Sequence, residues 1–523
     1  VDPRVQKKTR AELDAAVDRM EAGTATPEDF KLMRGVNATL AFLSEELKSK
    51  RTTISRLTEL MFGQTSEKTD KVCPKKKRKG ESASGPKEPK PGHGRNGASA
   101  FPGAEKVKVS HDSLKAGDEC PECPNGRVYP MAQPAVMVRI VGMSPLQATV
   151  IERERVRCNA CGEVFTAKAP EGTGSKKFDA SVSAMVALLK YGTGAPFYRL
   201  ARLQTNLGIP LPASTQWDLV QKAAGLLDPV MDELVRLAAQ ADVIHNDDTT
   251  MKLLERPDLQ LDRKERKGVY TSSIVARTRV EGLNRGIVLF FTGHRHAGEN
   301  LAEVLKRRSQ ELSRPIQMCD ALAANTKGAF DTLVAHCLAH ARRRFVDVVQ
   351  EFPEECRYLL EALRDVYIHE AKTKEMSPLE RLKFHQENSG PRMEALHLWL
   401  QDQLEGRKVE PNSGLGKAIA YTLKHWAELT LFLREPGAPL DNNLCERALK
   451  RAILHRKNSL FYRSLAGARV GDTYMSLIHT AELNDINPFD YLVALQRNHA
   501  LAEENPEEWM PWNYTATLAA LAE

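Results

Sequence analysis

The chain has 523 residues, room for several domains and at least one sizeable core, and its 27% charged and 6% aromatic residues suit a helix-rich protein. The formal charge of +7 is modest for this length, so binding to a polyanion must depend on where the cations sit, not on their sum. No apolar run reaches the ~18–20 residues of a membrane span, no secretory n-region and h-region opens the chain, and nine cysteines, four of them in two CxxC pairs, suit a reducing compartment with a metal site and exclude a disulfide scaffold.

Residues 1–68 read as helices. Leu40, Leu43, Leu47, Ile54, Leu57 and Met61 recur at steps of three, four or seven, a stripe shared by packed bundles and dimerising coiled coils. Residues 69–108 are rich in Lys, Pro, Gly and Ser and cannot bury a core. The run Lys75, Lys76, Lys77, Arg78, Lys79 and the His93 and Arg95 of GHGRNG fit contact with a nucleic-acid backbone, which glycine lets approach closely. A nuclear-localisation pattern or a solvated linker has the same composition.

In residues 109–170 two knuckles follow, Cys120 with Cys123 and Cys158 with Cys161. Together they supply four thiolates for one tetrahedral Zn²⁺, and the alternating AVMVRIVG and QATVIERERVRC predict the strands of a zinc ribbon. With all four positions occupied by cysteine, that zinc is structural. Residues 171–240 have a helix, glycine turn, helix rhythm like a helix-turn-helix, in which Ser214 or Thr215 caps a second helix presenting Gln216, Trp217 and Gln221. Helical hairpins without DNA contact share that rhythm.

From residue 241 the period changes. DVIHNDDTT is a short strand ending in carboxylates, KGVYTSSIVART and RGIVLFFTG are two more strands turning near Gly282, AGENLAEVLKRR is helical, and PIQMCD is a buried strand ending at Asp320. This order is that of a ribonuclease H-like core, in which the first and fourth strand ends adjoin and bring Asp247 and Asp320 together. Clustered carboxylates raise one another's pKa. Hard divalent cations offset that cost: Mg²⁺ takes carboxylate and phosphate oxygens, and two such ions suit chemistry at phosphorus.

A third carboxylate is on offer from a helix opening at Asn443. Locally, Asn443 and Glu446 form a capping box, which would make Glu446 a helix starter; Glu446 also sits at the edge of an apolar stripe, where it can face a sheet. Alternation places Asp248 on the opposite face from Asp247, as a supporting or turn residue. Cys337 and His340 have a spacing that permits metal binding, although a buried cysteine beside a polar-edge histidine has the same spacing.

The blocks HNDDTT, QMCDALAAN, HCLAHARRRF and LDNNLCERALKRAILHRKNSLF resemble those of the insertion sequence 66 family of bacterial DDE transposases. The resemblance runs over almost the whole chain. It takes in MFGQTSEK with the leucine-rich helix before it, PGHGRNGASAFPGA with the double CxxC, and YRLARLQTNLGIPLPASTQWDLV. Leu338 departs from it, standing where an aromatic residue usually follows the cysteine. The resemblance implies a catalytic triad of Asp247, Asp320 and Glu446 holding two Mg²⁺ (or Mn²⁺), 3′-end cleavage at terminal inverted repeats, and strand transfer into target DNA. It further implies paired DNA ends on a homodimer or larger assembly, small accessory proteins of the same element, and a bacterial cytoplasmic, nucleoid-associated location with no membrane.

The expected fold is thus multidomain α+β: N-terminal helices, a four-cysteine zinc ribbon, a helical DNA-binding region and a ribonuclease H-like core over 241–352 and 436–485. An all-α insertion at 353–435 interrupts the core, and a helical tail follows at 486–523. Arg342, Arg343 and Arg344, and Arg447, Lys450, Arg451, Arg456 and Lys457 after Glu446, make a cationic surround suited to phosphate contacts; ordinary solvated helix faces look alike. Two other functions fit part of these features, a transposase-derived DNA-binding protein that no longer cuts and a plain ribonuclease H-like nuclease.

Overall fold

The protein is seen in a computed structural model that describes residues 10–48, 69, 98–101, 103–122, 125–129, 131, 135–141, 143–159, 161–172, 174, 176–255, 268–280, 283–326 and 330–522. The chain divides into two units, 76–147 and the remainder. Ile54, Leu57, Met61, Lys75 to Lys79, His93, Arg95 and Cys123 lie outside the described residues.

In the smaller unit, Glu119 and Arg127 pair as an antiparallel bridge, and the Cys120 amide donates to the Gly126 carbonyl (2.8 Å). The predicted strand at AVMVRIVG does not form. Residues 135–141 carry no strand, and Met137 and Ile140 are exposed at 87% and 79%. Alternating Val and Ile need a partner strand to satisfy the backbone, and among the described residues none pairs with this stretch.

The larger unit begins with helices α1 (Arg10–Glu21) and α2 (Pro27–Lys48). Thr26 and Asp29 cap α2 reciprocally, and Arg19 pairs with Asp29 at 2.6 Å. A small antiparallel hairpin follows, β1 (Arg155–Arg157) with β2 (Val164–Thr166). Of the predicted QATVIERERVRC strand, only Arg155–Arg157 forms. The hairpin turn holds Cys158 and Cys161: Cys158 N donates to Glu163 O, Gly162 N donates to Cys158 O, and Gly162 adopts φ 76°, a conformation glycine takes without strain.

Helices α3 (Ala180–Ala187), α4 (Phe197–Asn206), α5 (Ala213–Ala224) and α6 (Asp228–Ala239) come next. The α4–α5 hairpin turns at Gly208 with φ 76°. Neither Ser214 nor Thr215 caps α5; the capping position is Pro212, in extended backbone, with no side-chain cap bond.

A five-stranded mixed sheet forms the centre: β3 (Val243–Met251), β4 (Val269–Val280), β5 (Leu283–Gly293), β6 (Ile316–Cys319) and β7 (Leu333–His336), with α7 (Ala297–Leu305) between β5 and β6. The spatial order is β5-β4-β3-β6-β7. β3, β4 and β5 are successively antiparallel, while β6 runs parallel to β3 and β7 parallel to β6. The predicted first strand was expected to end at its carboxylates. It instead runs through them to Met251, because β4 pairs with it along its whole length. Gly282 lies outside the described residues.

After β7 come α8 (Leu338–Asp347) and a wholly helical stretch: α9 (Pro353–Lys372), α10 (Pro378–Asn388), α11 (Gly390–Glu405), α12 (Gly414–Lys424) and the one-turn α13 (Trp426–Leu429). These helices do not stand apart from the sheet. One apolar cluster runs from Ile316, Met318 and Ala335 through Phe345 into Leu359, Leu363, Met393, Leu396 and Ile419. Moving the helical stretch as a body would expose that shared core, so the stretch is a fixed part of the sheet's support.

Two helices then return to the sheet, α14 (Asn443–Ser459) and α15 (Leu465–Leu483), before a helical C-terminal region. α15 lies along β5, the edge strand. Its residues Asp472, Ser476 and Thr480 accept hydrogen bonds from the amides of Thr292 (2.6 Å), Phe290 (2.9 Å) and Val288 (3.0 Å), and Asn484, just past its end, accepts from Gly286 (3.3 Å). Four residues of helix rise about 6 Å and two residues of strand about 6.8 Å, so the two repeats nearly match.

Candidate active site

The parallel pairing of β3 with β6 sets Val243 beside Ile316 and His245 beside Met318. Carried on by two residues, that register brings Asp247 level with Asp320, just beyond β6. On the other side, Asp247 pairs with Ser273 of β4. The buried Cys445 thiol of α14 donates to the Ser273 carbonyl at 3.3 Å, which seats the first turn of α14, and with it Glu446, over Asp247.

Asn442 fixes that helix start. Its Nδ2 donates to the Asn246 carbonyl (3.1 Å), its Oδ1 lies 3.1 Å from His245 Nδ1, and its amide donates to Cys337 Sγ (3.2 Å). The expected capping box between Asn443 and Glu446 is absent, because Asn443 is already inside the helix and the cap position is Asn442, which makes no side-chain cap bond. Asp441 accepts from the Asn443 amide (3.0 Å) and from its side-chain Nδ2 (2.7 Å). Glu446 is thus released from capping. Its Oε1 is buried without a hydrogen-bond partner, 3.7 Å from His340 Nε2.

The other two acids are held by one oxygen each. Asp247 Oδ1 accepts from the Asp248 amide (2.8 Å). Asp320 Oδ1 accepts from the Leu322 amide (3.2 Å) and from Asn325 Nδ2, and the buried Asn325 receives Asn246 and Gln317 on its carbonyl. Asp248 turns to α7, where His296 Nδ1 lies 2.8 Å from its carboxylate. Asn325, Gln317 and Asn442 are absent from the residues expected at the site. The only trace of them in the sequence is that polar side chains flank the acids, Gln317 and Asn325 on either side of Asp320 and Asn442 before Glu446.

Electrostatics bind the three acids into one unit. Burial, then the charge of Asp320, with smaller contributions from Asp248 and Glu446, push the Asp247 carboxyl up to about 7. Among the described residues no lysine or arginine pairs with Asp247, Asp320 or Glu446. Unneutralised carboxylates, one with an unpartnered buried oxygen, suit hard divalent cations. Donor atoms of Cys337, His340 and Glu446 also lie within 4.8 Å of one another. Burial raises the Cys337 thiol to about 12, which keeps it a neutral acceptor for Asn442.

The expected DNA contacts divide. Gln216 is fully buried, its amide donating to the carbonyls of Leu211 (2.8 Å) and Phe197 (3.3 Å), so it cannot read a base in this fold. Trp217 packs edge-on to Phe197 at 6.4 Å. Arg456 is bound to β3 through Thr249 Oγ1 and Thr250 Oγ1, both at 2.9 Å, and through the Thr250 carbonyl. Arg451 bridges the Gly192 carbonyl and Glu482. These three hold the fold together, Gln216 through its side-chain nitrogen, Arg456 through Nη1 and Arg451 through both Nη atoms. Arg447, Lys450 and Lys457 are exposed, Arg344 lies over the Tyr421 ring at 3.7 Å, and Arg342 and Arg343 are half-buried on α8.

The mixed sheet thus carries one acid just past the end of β6, another within β3 and a third on a returning helix. The profile described as "Transposase IS66 family" matches residues 176–470, and the chain belongs to that family. It is also similar to two uncharacterized proteins of Sinorhizobium fredii. y4jD is 28% identical over 379 residues, 70% of this chain and 72% of that one; y4hP is 28% identical over 394 residues, 72% and 70% respectively. Among the described residues no helix is long and apolar enough to cross a membrane.

Proposed function

We propose that the protein is a DDE transposase that cuts the 3′ ends of its element at terminal inverted repeats and joins them to target DNA. The observation carrying this reading is the convergence of Asp247, Asp320 and Glu446 from β3, the end of β6 and α14, with the Asp247 carboxyl raised by burial and then by its acidic neighbours. The strand order β5-β4-β3-β6-β7 supports assigning the centre to a ribonuclease H-like core.

Those three acids would hold divalent metal, which would supply activation of the attacking oxygen and stabilisation of the leaving oxygen at phosphorus. The chain itself orients the ligands. The Asp248 amide fixes one oxygen of Asp247, and Asn325 with the Leu322 amide fixes one of Asp320. The second oxygen of each remains for cation and substrate. Exposed Arg447, Lys450 and Lys457 attract the phosphate backbone without reading sequence. No covalent protein–DNA intermediate is needed, so no Ser or Tyr nucleophile is assigned.

The four-cysteine zinc site, end recognition by residues upstream of the core, and assembly of at least two copies on paired ends belong to the same proposal. Labelled terminal-repeat DNA incubated with the protein and Mg²⁺ tests it. Cleavage and strand joining are expected. Cleavage without joining would make the protein a plain nuclease, and binding without cleavage an inactive derivative.

A further inference from the structure

We propose that His336, His425 and Glu428 form a site for one borderline divalent transition metal of the zinc class, tying the end of β7 to the helices beyond it. One ligand atom from each residue lies within 4.8 Å of the others. The two rings meet edge to face, centroids 4.9 Å apart at 72°. His336 is 7% exposed, and its Nδ1 is buried with no hydrogen-bond partner.

The fold fixes all three donors independently of any ion. His336 ends β7, where it pairs with Cys319 of β6. His425 closes α12, its amide donating to the Tyr421 carbonyl at 3.2 Å, and its own carbonyl accepts from Leu429 at 2.9 Å across the single turn of α13. Glu428 lies three residues after His425, the spacing that puts two side chains on one side of a turn.

Two imidazoles and one carboxylate suit zinc, with three protein ligands and one open position. Mg²⁺ would favour an all-oxygen set. Burial lowers the pKa of both rings, so each offers a neutral nitrogen. The neighbouring Arg344 cation is directed over the Tyr421 ring at 3.7 Å. In this role the ion joins residues about 90 positions apart, from the sheet and from the helical stretch packed on it.

The test uses the full chain, stripped by chelator and reloaded with Zn²⁺, counting tightly held zinc in the wild type, His425→Gln and Glu428→Gln. Both substituted side chains are half-buried, and circular dichroism checks that the fold is kept. Any zinc held by cysteines contributes equally to all three proteins. The wild type is expected to hold one equivalent more than either variant, and zinc is expected to raise its melting temperature more than theirs. X-ray absorption at the zinc edge should show imidazole scattering that weakens in His425→Gln. Equal zinc content in all three proteins overturns the proposal. If a variant loses its fold, absence of imidazole scattering in the wild type overturns it just as well.

Discussion

Two groups of donor atoms stand at neighbouring strand ends of one sheet, and they differ in kind. Around β3 and β6 the donors are carboxylate oxygens, close enough for Asp320 and Glu446 to raise Asp247. At the end of β7 they are two imidazoles and one carboxylate. The sheet presents Asp320 and His336 by the same device, a parallel strand stopping just before or at a polar residue. What separates the two groups is charge: the oxygen group repels itself until a cation arrives, whereas the imidazole group is neutral on two of its three members.

The largest effect expected is on chemistry. Asp247→Asn, Asp320→Asn and Glu446→Gln should each lower 3′-end cleavage by about 10³-fold or more, on the scale of losing a group that acts directly on transition-state charge. Zinc content should be untouched. Glu446→Gln should keep its melting temperature, since Glu446 makes no capping bond at the start of α14. A folding defect there would return Glu446 to a structural role.

Next comes Asn325→Ala, which frees Asp320 without removing a carboxylate. Loss of a residue that orients a metal ligand typically costs ~10–100-fold, so cleavage should fall by that range while end binding, followed by gel shift, stays level.

Stability against pH should also separate the two groups. Folded Asp247, raised to about 7, holds its proton more tightly than the unfolded carboxyl near ~4. Its contribution is therefore intact below about pH 4 and is lost as pH rises toward about 7. Asp472, raised by burial to about 7, acts in the same direction. Asp247→Asn should stabilise the metal-free protein at pH 8 by on the order of a few kcal/mol. Mg²⁺ should raise the melting temperature of the wild type and have much less effect on this variant.

The smallest effects distinguish pinned cations from free ones. Arg456→Ala should cost ~1–3 kcal/mol of stability through its lost bonds to Thr249 and Thr250. Lys457→Ala should leave stability alone and reduce the salt dependence of DNA binding by about one phosphate contact.

Much of the centre could be read from periodicity. Alternation located β3, β4, β5 and β6, and the run between them located α7, since local patterns set local structure. Faces and partners were less legible. In LDNNLCE, Asp441, Asn442 and Asn443 are all plausible caps by type, and only contact with His245 and Asn246, about 200 residues away, commits Asn442 to the sheet. Gln216 belongs to a readable helical hairpin, but which side of α5 is covered depends on packing that no local spacing encodes. Arg456 looked like its neighbours in a basic cluster until β3 supplied acceptors. His425 and Glu428 carry no motif at all; they meet His336 only because the helical stretch folds back on β7.

The helix α15 has a consequence for synthesis of the chain. Its rungs bind the backbone of β5 from positions about 180–200 residues later, so a ribosome that has finished the sheet has not yet made what seals its outer rim. Until residues 472–484 emerge, β5 presents bare amides at a sheet edge, the state in which strands from different molecules find one another. Products that stop short of α15 should therefore precipitate, even with every strand of the sheet already present.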